Sequence, residues 1–258
     1  MSNKPKPDGA QASSAVTRRH FLRTMVAGGA AVAALGSVGI AQSYQFEVTQ
    51  HAKTIAGLRA PLKVALLTDL HYGPFIHAGS VRAWVAATMK EQPDLILLGG
   101  DQIDTRVEEP SEPLLTALAQ LKAPLGVFGV WGNHDYGSFG SYRSRFYGPA
   151  QTNWQQRRDI FAAALATAGV TILRNEGRVL REDLYLGGLD DFWQGQPDLQ
   201  ATLAGVAGQA SILLSHNPDI LPNLPQPVSL VLSGHTHGGQ VRFPLVGALK
   251  VPSIYGQK

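Results

Sequence analysis

Five times along this chain a short apolar run ends in Asp, Asn or His. Lys63–Leu67 leads to Asp69 and His71, Leu95–Leu98 to Asp101, and Leu125–Trp131 to Asn133 and His134. Ile212–Leu214 then leads to His216, and Leu230–Leu232 to His235 and His237. Short runs of Val, Leu and Ile bounded by Gly, Asn or Asp read as buried strands. Each polar group therefore sits at a strand's carboxyl end. Between the runs, Val81–Met89, Leu114–Leu121 and Asp159–Ala168 have helical spacing. Strand alternating with helix predicts an α/β fold, in which functional side chains collect at the carboxyl ends of strands. Val170–Leu173, Val179–Leu180 and Leu184–Leu189 follow one another without a helix, so a second, mixed sheet is expected. No internal repeat is present.

The residue types at those ends point to metal chemistry. Asp69 and His71 are two apart, and in an extended strand end i and i+2 share a face, so they are predicted to reach one ion together. Asp101 follows Gly99-Gly100, where missing side chains admit a second strand end, and its two carboxylate oxygens are expected to bridge two ions. Asn133 adds an amide oxygen; His216, His235 and His237 add imidazole nitrogens. Such mixed N/O ligation suits Mn, Fe or Zn better than Ca or Mg. Seven ligands exceed one tetrahedral ion. Shared through one carboxylate, they make two four-coordinate sites with room for a bridging water, as a two-metal hydrolase requires. Each motif alone has an ordinary reading: Asp-x-His as a cap, Gly132–Asp135 as a turn, Gly234–Gly239 as a surface loop. Five of the eight histidines nevertheless fall in these segments.

The order D-x-H, G-D, G-N-H-D, H and G-H-x-H, from about Leu62 to Gly256, resembles the calcineurin-like metallophosphoesterase family. Leu213–Pro218 with the G-H-T-H-G-G-Q run is similar to its bacterial subgroup of YaeI-like phosphodiesterases. The resemblance implies two packed mixed β-sheets flanked by helices. It implies that Asp69, His71, Asp101 and His237 hold one metal, and Asp101, Asn133, His216 and His235 the other. His134 is then a non-ligand histidine that protonates the leaving oxygen or stabilises charge on the phosphoryl group, with Asp135 orienting it. The implied reaction is hydrolysis of a phosphodiester or pyrophosphate by a metal-bridging hydroxide. A lipid-linked substrate such as UDP-2,3-diacylglucosamine is among the candidates. A phosphomonoesterase or phosphoprotein phosphatase stays open, as does a non-catalytic, metal-stabilised envelope protein. No Gly-rich phosphate loop with a following Lys is present, which argues against an ATPase or kinase.

The net charge of +3 is unevenly placed. Residues 1–41 carry five basic groups against Asp8 alone, whereas the rest carries 17 basic against 18 acidic. A nucleic-acid partner thus has no support. Thr17-Arg18-Arg19-His20-Phe21-Leu22 and the weakly apolar run Met25–Ala41 look like a twin-arginine signal peptide, with processing after Ala41. The expected partner is the twin-arginine export machinery, and the expected location is the periplasm or the outer face of the cytoplasmic membrane. A retained membrane anchor is the second reading. The absence of Cys excludes disulfides and thiolate sites. The expected organisation is a leader (1–41), a connector (42–61) and a phosphoesterase domain (62–258). After Pro252–Gly256 relatives usually continue, so the domain is expected to be short of its last C-terminal strands. The segment Tyr136–Arg158, with Phe139, Tyr142, Arg143, Arg145, Trp154 and Arg158, reads either as a substrate cap or as a loop covering the core, the second being favoured. Asp190 and Asp191 are expected to support a loop or a ligand histidine.

Overall fold

The structure is a computed structural model that describes residues 45–105, 111–142, 150–239, 242–243, 247–248 and 251–255. The leader, residues 1–41, lies outside the described residues, as do Arg143 and Arg145. The chain divides into two units, Met1–Thr49 and Gln50–Lys258, and all that follows concerns the second. No described helix is long and apolar enough to cross a membrane.

Strands β1 (Val64–Leu67), β2 (Leu95–Leu98), β3 (Val127–Gly129) and β4 (Thr171–Ile172) form a parallel sheet in that order. Strands β5 (Glu176–Arg181), β6 (Leu184–Gly188), β7 (Ala210–Leu214) and β8 (Leu230–Leu232) form a mixed sheet. Its β5 runs antiparallel to β6 and the other pairs are parallel. A further antiparallel pair joins β9 (Arg242–Phe243) to β10 (Gly247–Ala248).

Side-chain alternation along β2 shows how these layers stack. All four residues are buried, and a period of two sends them to opposite faces. Leu95 and Leu97 meet Phe128, Leu186, Ile212 and Leu214, filling the space between the two main sheets. Ile96 and Leu98 face a second cluster, built from helices α1 (Ala78–Lys90), α2 (Glu112–Leu118), α3 (Asn133–Phe139) and α4 (Trp154–Thr167). Val81, Leu114, Phe139 and Phe161 are their contributions. On the outer face of the mixed sheet, Leu213 packs with Leu203 of α5 (Leu199–Leu203) and Ile220 of a 3₁₀ turn, Pro218–Asn223. The order is helices, sheet, sheet, helix. Each fully buried aliphatic side chain contributes about 1.5–3 kcal/mol, so the three clusters fix the layers and hence the strand ends.

Helix α3 occupies a stretch whose opening, Gly132–Asp135, has turn-like composition. Asp135 Oδ2 accepts the Gly132 N–H at 2.9 Å, bracing the first turn, while Tyr136 and Phe139 bury themselves on that helix. Phe139 packs on Trp131 and Phe161, with ring centroids 5.1 and 6.3 Å away. Arg158 pairs with Asp159 at 2.8 Å and lies over the Trp154 ring. The described part of Tyr136–Arg158 thus covers the core.

Candidate metal centre

The ladder between β1 and β2 continues past the strands. Asp69 N–H donates to Gly100 O at 3.0 Å, His71 N–H to Asp101 O at 2.9 Å, and Tyr72 N–H to Gln102 O at 3.1 Å. The two loops leave the sheet zipped together. Asp69 and His71 are not the extended pair expected, for both are left-handed, with φ of 55° and 45°. So are Asp101, His235 and His237; these five are most of the seven described non-glycine residues with positive φ. That conformation costs an L-residue roughly 1–2 kcal/mol. It persists only where the surroundings over-determine it, as at functional sites.

Gly99-Gly100 admits a second strand end, as its lack of side chains suggests. The visitor is the end of β7: His216 Nδ1–H donates to Gly99 O at 2.8 Å. A Cβ on Gly100 would stand 2.6 Å from that nitrogen, and the φ of +95° itself calls for glycine. The bond to Gly99 leaves His216 Nε2 proton-free when the ring is neutral. That nitrogen faces Asp101 Oδ2, Asn133 Oδ1 and His235 Nδ1, each at 3.2 Å. Beyond Asp101, His71 Nε2 is 3.6 Å from the same Oδ2 and 3.2 Å from His237 Nε2, which is 3.5 Å from Asp69 Oδ1.

Donor atoms bound to one cation at about 2.1 Å stand roughly 3.0–3.4 Å apart in an octahedral or tetrahedral array. The spacings found here are close to that. Lone pairs brought face to face in this way fit a cation between them, and the donors expected as ligands fall into two groups, Asp69, His71 and His237, and Asp101, His216 and His235, while His134 makes a third with His71 and Asp101. Asn133 joins the second group through its amide oxygen. Asp101 faces both groups with one oxygen, Oδ2, rather than with two as expected. Its Oδ1 is occupied, accepting the His134 N–H at 2.8 Å from the first turn of α3. Asp69 is oriented by the Thr68 hydroxyl at 2.7 Å and the His235 N–H at 3.0 Å.

The electrostatics favour positive charge at His216 and oppose it at His235. Burial alone would lower the His216 imidazole, but the hydrogen bond and charge of Asp101 push it up to about 9. Burial would likewise raise the Asp101 carboxyl, yet His216, His134 and His71 hold it at about 2. His235 goes the other way, to about 4, through burial and the neighbouring His216 charge.

His134 lies inside the centre. Its ring stands edge-on to His71, with centroids 4.6 Å apart, and it groups with His71 and Asp101. Its Nδ1 is 3.1 Å from the Thr105 hydroxyl. Asp135, expected to orient that ring, is committed elsewhere: its oxygens accept the Gly132 and Ile103 N–H groups at 2.9 and 3.1 Å. It is fully buried, and burial with the nearby Asp101 charge raises its carboxyl well above the usual range. It braces two loops. Asp190 and Asp191 also act on a loop, Asp190 accepting from Tyr136 O–H and Gln196 N–H, and Asp191 from the Trp193 and Gln194 N–H groups. Tyr142, named from the sequence in the segment that reads as a cap or a core-covering loop, donates its hydroxyl to Asn133 O at 2.9 Å, whereas Thr68 and Thr105 are not singled out by residue type. For Thr68 and Thr105 the only signal is adjacency to Asp69 and to Asp104.

The calcineurin-like phosphoesterase family profile matches residues 62–239, which include both donor groups. This chain belongs to the calcineurin-like phosphoesterases. It is 30% identical to the metallophosphoesterase YkuE of Bacillus subtilis over 260 residues, covering 94% of this chain and 84% of the relative. It is 31% identical to phosphodiesterase YaeI of Escherichia coli over 237 residues, covering 90% and 82%. The phosphoesterase is therefore a metal-dependent hydrolase of phosphoric esters.

Proposed function

We propose that this phosphoesterase hydrolyses phosphodiester or pyrophosphate bonds with two cations, Mn, Fe or Zn, which the donors around Asp101 would hold. Asp69, His71, Asp101 and His237 would hold one; Asp101, Asn133, His216 and His235 would hold the other. The observation that carries this reading is the Asp101 Oδ2 atom, 3.2 Å from His216 Nε2 and 3.6 Å from His71 Nε2. When bound, such a pair supplies charge neutralisation for the phosphoryl oxygens and a water acidic enough to attack near neutral pH. The chain's own residues do the rest. Gly99 O fixes the His216 ring, the His134 N–H fixes Asp101, and Thr68 with the His235 N–H fixes Asp69. The His134 ring, held by Thr105, is the group assigned to give a proton to the departing oxygen. The similarity to a protein named phosphodiesterase supports the diester over the monoester. Arg18, Arg19 and the apolar run to Ala41 support export by the twin-arginine route, and with it a substrate met outside the cytoplasmic membrane.

The test is metal analysis of the purified full chain, followed by assays with each metal restored. About two bound ions per chain and faster turnover of bis-p-nitrophenyl phosphate than of p-nitrophenyl phosphate are expected. One ion, or preference for the monoester, overturns the corresponding part. Fractionation of the expressing cells, with Arg18 and Arg19 both changed to Lys as the comparison, tests export.

A further inference from the structure

Beside the second donor group stands a residue that no metal requires. Trp193 meets the His235 ring at a centroid distance of 4.2 Å, the planes at 85°. His235 is 4% exposed, but Trp193 is 44% exposed. Part of the indole therefore covers the imidazole, and the rest is open to solvent at the edge of the centre. Large aromatic surface in that position is held there at a hydrophobic cost.

The loop that presents it is rigidly tied. Trp193 N–H and Gln194 N–H donate to Asp191 Oδ2 at 3.0 and 2.6 Å, Gly195 N–H to Asp191 O at 3.0 Å, and Gln196 N–H to Asp190 Oδ2 at 3.0 Å. Both aspartates are 1% exposed, and Asp190 is itself pinned by the Tyr136 hydroxyl and Arg174 Nε. A loop fixed in advance lowers the ordering cost of binding. The next residues in the chain, Gln194, Gly195 and Gln196, add no apolar side chain to the indole for an acyl chain to follow. One indole does satisfy one flat ring.

Building on the phosphodiester reading, we propose that Trp193 is a specificity-determining residue that stacks a planar aromatic group of the ester beside the reacting phosphorus. Asp191 acts through it as a positioning residue. The preferred substrates are then phosphodiesters bearing an aryl or heteroaromatic ring.

Binding of three non-reporting esters to the manganese-loaded full chain, measured by calorimetry, tests this. The probes are diphenyl, dihexyl and diethyl phosphate, all monoanions near neutral pH. Trp193→Ala is expected to lose roughly tenfold in affinity for diphenyl phosphate, as loss of one aromatic stacking contact does. Affinity for diethyl phosphate should stay within about twofold, and manganese content should be unchanged. Trp193→Phe should restore most of the loss. Equal affinities in wild type and Trp193→Ala overturn the proposal. So does dihexyl phosphate binding as well as diphenyl phosphate, or an equal loss for all three esters with loss of manganese, which would make Trp193 a mere support for His235. Failure of the hydrolase reading is seen separately, as absence of turnover by the wild-type chain, while the binding comparison still decides the role of Trp193.

Discussion

His134 differs from its neighbouring imidazoles in how it is held. His216 and His235 turn nitrogens toward Asp101 and each other, whereas His134 has Nδ1 on the Thr105 hydroxyl and its backbone N–H on Asp101. One residue thus serves the centre twice, by its backbone N–H and by its ring, and neither of the two proposed ligand sets uses the ring. His134→Ala is expected to lower kcat by about 10²–10⁴ while both donor groups keep their metal, read by steady-state kinetics and metal content on one preparation. Unchanged turnover removes the proton-donor role. The place of His134 was legible in the sequence, because a polar residue after an apolar run marks a strand's end. Its partner was not. Asp135 is adjacent and acidic, but at the start of a helix its side chain turns back to the Gly132 N–H, and the ring finds Thr105 from another loop.

At the scale of elements, strand ends do what strands cannot. Five left-handed residues swing their side chains inward from loops that are still hydrogen-bonded to one another. Extended geometry expected for Asp69 and His71 yields the right neighbours for the wrong reason. The pair of glycines before Asp101 is the element-level feature that sequence does reveal, since close approach of a second chain has no other simple cause. Gly100→Ala would push a methyl group to 2.6 Å from the His216 ring at a φ of +95°. A destabilisation of roughly 2–4 kcal/mol is expected from the conformation and the overpacking together. Denaturant titration should show it, and metal content should fall as His216 is displaced. Wild-type stability with full metal content would mean that the two strand ends are not so tightly joined.

For the whole molecule, packing and charge meet at Asp191. Burial pushes its carboxyl up to about 6, against the opposing effect of His216. Because the folded value lies above the unfolded one of about 3.9, the contribution to stability is fully present below pH 3.9 and is lost as pH rises through 6. In chelated protein the stability difference between Asp191→Asn and wild type should therefore shift in the variant's favour, by on the order of 2–3 kcal/mol across pH 4–7. Melting and denaturant curves at matched pH measure it; a difference independent of pH would show that Asp191 ionises freely. The sequence by itself determined which residues cap the strands, because apolar runs of strand length must be buried and polar groups must follow them out. It also determined the alternation that makes an α/β fold. Tertiary structure alone decided that five strand ends from two sheets meet within bonding reach. The reason is physical: that distance depends on how Leu95, Leu97, Leu186 and Ile212 stack the sheets, on left-handed turns at non-glycine residues, and on hydrogen bonds between residues far apart in the chain. None of these has a local signal.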